Sequence, residues 1–304
     1  MQKDYLTGLE FSPAQTEGLL DLALLAKQQP EKFQHALSGK SIVMLFEKPS
    51  LRTRMSFEVG IQRLGGQAIY LDHKDERIGV RESIADYARN FSVWVHGIIA
   101  RVFAHQTLTE LAKNARVPVV NALCEKLHPC QALADYLSLK ETYGNLKGLK
   151  LAYVGDGNNV SHSLLLVGAM LGVNVTVLTP QKYACKAEWL DKAQTLAAQT
   201  GATVRLIHQP NQLGQQDVLY TDTWVSMGES KSASELERVL KPYQLNETMV
   251  AETGAGHVMH CQPAHRDVEI TSALFDSNIC LAMRQAENRL HAQNALLLNL
   301  FNAA

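Results

Sequence analysis

Short apolar runs alternate with helical patterns twice over along this chain, and that alternation restricts the fold to parallel α/β architectures. Strand-like runs fall at 41–46, 67–71, 97–100 and 117–120, with helical patterns at 52–63, 83–92, 107–114 and 129–143. A second series follows: strands at 149–154, 173–178, 203–207, 217–220 and 257–260, with helices at 160–170, 185–199 and 233–241. Such spacing predicts right-handed βαβ units and mostly parallel sheets flanked by helices. The turn-rich stretch from Tyr143-Gly144-Asn145 to Lys147-Gly148 separates the two series. Two domains are therefore expected, 1–143 and 144–285, with a C-terminal helix at 286–304 returning to the first. That tail is apolar at helical spacing (Leu290, Leu296, Leu300, Phe301) and too isolated to form a domain of its own.

Composition narrows the function classes. Lysine and arginine total 29 against 30 acids, which gives no general surface for nucleic acid or membrane. The five cysteines (Cys124, Cys130, Cys185, Cys261, Cys280) are odd in number, widely spaced and without a CxxC pair. That pattern fits free thiols in a reducing compartment. No apolar run reaches membrane-span length and Met1-Gln2-Lys3-Asp4-Tyr5 lacks signal-peptide features, so the expected location is the cytoplasm.

The chemistry concentrates where strands end. Ser41 to Phe46 reads as a buried strand, and Phe57, Ile61 and Leu64 mark a helix that stops at Gly65-Gly66. Ser50, Leu51, Arg52 and Thr53 therefore lie at a strand-to-helix junction. Unpaired N–H groups and the dipole there favour an anion, and arginine adds a planar fork for phosphate oxygens. Arg101 follows another strand, at the end where parallel sheets place ligand groups. His128 and Gln131 flank Pro129 at a helix start and share a face. Between the second strand and the next helix, 72–83 is a polar, charge-mixed loop carrying Arg77.

In the second half, Gly155-Asp156-Gly157-Asn158-Asn159-Val160 follows a strand, but Val160 stands where a dinucleotide fingerprint needs its third glycine. Asn158 and Asn159 offer amides for an amino-acid head group, or serve simply as turn formers. Asp222 begins Asp222-Thr223-Trp224-Val225-Ser226-Met227-Gly228 at a further strand end. His260-Cys261-Gln262-Pro263-Ala264-His265 ends the last strand; its donors fit no usual zinc site in number or spacing.

Taken in order, Ser50-x-Arg52-Thr53-Arg54, Gly79-x-x-Glu82-Ser83, His128-Pro129-Cys130-Gln131, Asn158-Asn159, Asp222 with Ser226-Met227-Gly228, and His260-Cys261-x-Pro263 resemble the motifs of the carbamoyltransferases that act on ornithine and aspartate. The Ser226-Met227-Gly228 motif resembles the ornithine branch. The resemblance spans nearly the whole chain. It implies transfer of the carbamoyl group of carbamoyl phosphate to the δ-amine of L-ornithine, giving citrulline and phosphate.

The resemblance also implies roles. Ser50, Leu51, Arg52 and Thr53 hold the phosphate. Arg101, His128 and Gln131 bind the carbamoyl half, with Arg289, Cys261 and Gln262 beside it. Arg77 reaches the site of an adjacent subunit in a homotrimer or an assembly of trimers. Asn158, Asn159, Asp222, Ser226 and Met227 face ornithine, and Asp222 and Cys261 ease removal of a proton from its amine. A thiol nucleophile is the other role for Cys261. No metal or organic cofactor is expected. Three positions depart from the family pattern: Leu51 for threonine, Arg77 for glutamine or histidine, and Gln262 for leucine. Putrescine, an N-acylated ornithine or aspartate are alternative acceptors, and a non-catalytic homologue that binds carbamoyl phosphate is the alternative outside the enzymes.

Overall fold

The computed structural model describes residues 3–224 and 233–303. The chain divides into two compact units, Met1–Leu137 with Glu287–Ala304, and Ser138–Ala286. The first unit contains α1 (Pro13–Gln28), β1 (Ser41–Phe46), α2 (Leu51–Arg63), β2 (Gln67–Asp72), α3 (Ile84–Trp94), β3 (Gly97–Arg101), α4 (His105–Asn114), β4 (Val119–Leu123) and the start of α5 (Pro129–Tyr143). Its strands are all parallel in the order β2-β1-β3-β4. β1 is a continuous apolar run because it is central: Ile42 to Phe46 are fully buried. The strand order reverses between β1 and β3, so the carboxyl ends of these two strands flank the crevice where open α/β sheets bind ligands.

Arg101 lies at one of those ends, beside a register shift between Ala100 and Arg101 in the pairing with β4. Such a bulge re-aims the side chain next to it. The strand expected at 117–120 begins instead at Val119, because Pro118 contributes its carbonyl to Ile98 N but has no N–H for the ladder. Tyr5 bridges Val120 on the outer side of β4, a pairing that left no periodic trace in the sequence.

The second unit contains β5 (Lys150–Val154), α6 (Asn159–Met170), β6 (Asn174–Leu178), α7 (Ala187–Thr200), β7 (Val204–Ile207), β8 (Val218–Thr221), α8 (Ala233–Leu240), α9 (Glu247–Thr253), β9 (His257–His260), α10 (Ser272–Phe275) and the start of α11 (Ala282–Leu300). Its five strands are parallel in the order β7-β6-β5-β8-β9, and here the reversal falls between β5 and β8. Ala152, Val154, Leu219, Trp224 and Val258 belong to its core. α9 and α10 were not anticipated; at seven and four residues they are too short for an apolar period to register.

From Glu287 onward α11 belongs to the first unit, as expected of the tail. It closes on α2 at Gly60, where an added Cβ would lie 2.3 Å from Asn294 Oδ1. Among the described residues no helix is long and apolar enough to cross a membrane.

The turn after β5 explains the glycine that suggested a nucleotide loop. Gly157 N donates to Tyr183 O at 2.8 Å. A Cβ at Gly157 would fall 2.3 Å from Cys185 N and 2.6 Å from Tyr183 O, which are main-chain atoms that cannot rotate away. Gly157→Ala should therefore lower stability by about 1–3 kcal/mol, read as a lower denaturant midpoint at constant slope. An unchanged midpoint would show that the 183–185 segment yields freely.

Candidate active site

In the first unit the chain leaves β1 and enters α2 through Ser50. Its extended backbone and a side chain accepting from Thr53 N (3.3 Å) make it the N-cap. Leu51 opens the helix with its side chain 74% exposed, so what it offers the junction is its backbone N–H. Arg52 is half-buried on the first turn, whereas Arg54 lies outside, over Tyr70 and paired with Glu58. Thr53 is buried, and its Oγ1 accepts from Arg289 at 3.0 Å. The same guanidinium donates to Gln131 Oε1 at 2.6 Å. Gln131 in turn donates to Asp135 Oδ1 at 2.8 Å. Thr53, Arg289, Gln131 and Asp135 thus form one buried chain of hydrogen bonds joining α2, α11 and α5.

Asp135 escaped the sequence reading. The available signal was its place four residues after Gln131 on the same helix face. Because the Gln131 amide nitrogen faces Asp135, its oxygen is the atom turned toward Arg289.

Arg101 is 5% exposed, and its Nε has no hydrogen-bond partner among the described residues. Burial first, then Arg289 and Arg52, push its pKa down to about 9, so it stays charged at neutral pH. His128, buried beside Pro129 at the start of α5, is pushed well below the ordinary histidine range by burial, then by Arg289 and Arg101. Its imidazole is therefore neutral at physiological pH, able to donate one N–H without adding charge. Among the described residues the charges acting on Arg101 and His128 are cationic, and a buried guanidinium in such company is costly unless an anion joins it.

Arg77 is exposed in the 72–83 loop and lies over the ring of Phe103 of its own chain, 4.4 Å from the centroid. Gly79 in that loop has φ +94°, a conformation glycine adopts without cost.

The second unit carries the opposite imbalance. Asp222, just past β8, is 6% exposed. Its Oδ1 accepts from Thr223 N (2.8 Å) and from Cys261 Sγ (2.9 Å), and its Oδ2 accepts from Asn158 Nδ2 (2.8 Å). All three donors are neutral. Among the described residues no cationic side chain is paired with Asp222. Asn158 is also the N-cap of α6, its Oδ1 accepting from Val160 N and Ser161 N. The two readings of this residue, turn former and site residue, are thus both realised: its oxygen caps the helix and its nitrogen holds Asp222. Asn159 is half-buried at the first position of α6.

Cys261 follows β9, in a turn fixed by His260. That fully buried ring donates from Nε2 to Glu269 Oε1 (3.0 Å) and accepts Gln262 N at Nδ1 (2.9 Å). Glu269, also fully buried, is a second residue the sequence reading missed, nine positions from its partner. Gln262 has φ +62° and a cis bond to Pro263, and its side chain runs to Met283 Sδ at 3.7 Å. Asp222, His260 and Cys261 offer ligand atoms within 4.8 Å of one another. Both His260 nitrogens are already engaged, however, so this trio could hold a metal only by giving up the bonds that shape the turn. Ser226 and Met227, with the rest of their motif, lie outside the described residues.

The comparisons agree across both units. A family model described as "Aspartate/ornithine carbamoyltransferase, carbamoyl-P binding domain" matches residues 3–141, and one described as "Aspartate/ornithine carbamoyltransferase, Asp/Orn binding domain" matches residues 147–300. An ornithine carbamoyltransferase of Shewanella oneidensis is 46% identical over 99% of this chain and 100% of its own. The solved ornithine carbamoyltransferase of Pyrococcus furiosus is 42% identical with a TM-score of 0.93, covering 98% of this chain and 96% of its own. A solved N-acetyl-L-ornithine transcarbamylase is similar at 32% identity and a TM-score of 0.89, over 98% of this chain and 99% of its own. With both halves of the chain matched and the strand-end clusters in place, this protein belongs to the aspartate/ornithine carbamoyltransferase family.

Proposed function

We propose that this protein transfers the carbamoyl group of carbamoyl phosphate to the δ-amine of L-ornithine, releasing citrulline and phosphate. The observation that carries the reading is a pair of unbalanced buried charges. Arg101 is an incompletely bonded guanidinium among cations, and Asp222 is a carboxylate that, among the described residues, is held by neutral donors. The first suits a phosphate ester or anhydride, the second an amino compound that arrives as a cation.

Carbamoyl phosphate is a mixed anhydride whose leaving group departs readily, so positioning and charge stabilisation suffice without a covalent enzyme intermediate. In this reading Ser50, Arg52, Thr53 and the first N–H groups of α2, including that of Leu51, hold the phosphate. Arg101 and neutral His128 donate to the carbamoyl oxygen as it gains negative charge. Gln131, its amide set by Asp135 and Arg289, orients the carbamoyl amide. The δ-amine has a pKa of about 10.4, like a lysine, and must lose a proton before it attacks. In the same reading Asp222 pairs with the α-ammonium, and the Cys261 thiol bonded to it orients the δ-amine and relays its proton toward the carboxylate. The partly exposed Cys261 shares its hydrogen with Asp222, which supports an orienting role over a nucleophilic one.

The acceptor decides between two readings, because a family relative is an N-acetyl-L-ornithine transcarbamylase. An acylated α-amine is neutral and would leave Asp222 without a cation, a costly state for a buried charge. We expect kcat/KM for L-ornithine to exceed that for N-acetylornithine or putrescine by on the order of a hundredfold. Equal or higher kcat/KM with N-acetylornithine would transfer the assignment to the acylated acceptor, with Gln262 as its contact.

We further infer a cytoplasmic homotrimer, or an assembly of trimers, in which Arg77 serves the site of an adjacent copy. The loop is exposed and rich in charge, which supports this reading. Mixing Arg77→Ala and Arg101→Ala proteins, each inactive alone, should restore activity once subunits exchange. No recovery with exchange confirmed by mass labelling would mean that each copy uses its own Arg77.

A further inference from the structure

Glu47 is the first residue past β1 and is 3% exposed. Its Oε1 accepts Ile78 N at 2.9 Å and its Oε2 accepts Phe103 N at 2.7 Å. Its own N donates to Arg101 O at 2.9 Å. One side chain therefore gathers three segments: the end of β1, the 73–83 loop and the turn after β3. Ile78 is the only buried residue from 74 to 82, so the loop is attached at a single apolar point whose N–H Glu47 holds. On either side of that attachment, Arg77 lies over the Phe103 ring, and Lys48 lies over the same ring at 4.5 Å.

We propose that Glu47 is a positioning residue for carbamoyl phosphate binding: by clamping the 73–83 loop and the Arg101–Phe103 turn to the end of β1, it sets Arg101 for its own site and presents Arg77 to that of the adjacent copy. The inference rests on the carbamoyl phosphate reading of this unit. Buried carboxylates are costly, and here the compensation is two main-chain N–H groups on segments that each carry a candidate ligand arginine. A glutamine has the same shape but only one acceptor atom, so it can hold one of the two N–H groups and must turn its own NH2 toward the other. The chain would still fold around it, with one of the two segments released.

The test compares Glu47→Gln with the unmutated chain by amide hydrogen exchange and by steady-state kinetics. Exchange at Ile78 or Phe103 should rise about tenfold or more, while the strands of the second unit keep their protection. KM for carbamoyl phosphate should rise by about tenfold or more, with kcat and KM for the acceptor within about twofold. A purely structural carboxylate would instead lower protection or stability and leave the carbamoyl phosphate KM where it was. Unchanged exchange at both amides overturns the proposal, as does raised exchange with an unchanged KM. If the unmutated chain transferred no carbamoyl group, that control would remove the functional reading by itself, and the exchange at Ile78 and Phe103 would still decide whether Glu47 clamps the two segments.

Discussion

Arg101 is buried with no countercharge among the described residues, and that is the constraint on which the first unit depends. A guanidinium that is 5% exposed and pressed by Arg289 and Arg52 is in an unfavourable state, and burial first, then those two cations, push its pKa down to about 9. The fold sustains it because the surrounding polar groups are fixed to one another. Arg289 is held by Thr53 and Gln131, Gln131 by Asp135, and Ser50 closes the helix start. Preorganised donors that have already lost their mobility are what an anionic substrate needs, since little reorganisation remains when it arrives. The neutral state of His128 follows first from its burial and then from Arg289 and Arg101, beside which a protonated imidazole would add another like charge.

Asp222 is the counterpart in the second unit. Its three neutral donors fix both oxygens without neutralising the charge, and two of them belong to elements with another task. Asn158 caps α6, and Cys261 sits on a turn shaped by the His260–Glu269 pair. The carboxylate is therefore set by the same bonds that terminate β5, β8 and β9. In both units the reversal of strand order marks the place. The Ser50 cap and Arg101 follow β1 and β3, and Asn158 and Asp222 follow β5 and β8.

Much of this was legible in the sequence where one local rule applied. The run Ser41–Phe46 and the helix Pro129–Tyr143 have the expected limits, because a central strand is continuously apolar and a proline opens a helix. The Ser50 cap and the strand-end position of Arg101 follow from similar local signals. Partnerships across long sequence separation were not legible. Asp222 lies 64 residues from Asn158, and Glu47 lies 31 and 56 from the amides it accepts. No period or spacing encodes such pairs; they arise when topology brings strand ends together. Gly157 shows the other limit. Its role is to admit the 183–185 main chain, which resembles a nucleotide loop until the neighbouring segment is seen.

The central claim is that each unit's unbalanced charge selects one substrate, the anion at Arg101 and the amino acid at Asp222. Calorimetric titration of the Asp222→Asn protein, first with a phosphonate analogue of carbamoyl phosphate and then with L-ornithine, tests it most directly. The account predicts phosphonate affinity within about twofold of the unmutated protein, and ornithine affinity reduced by about tenfold or more. Undiminished ornithine binding, or a matching loss of phosphonate affinity, would contradict it.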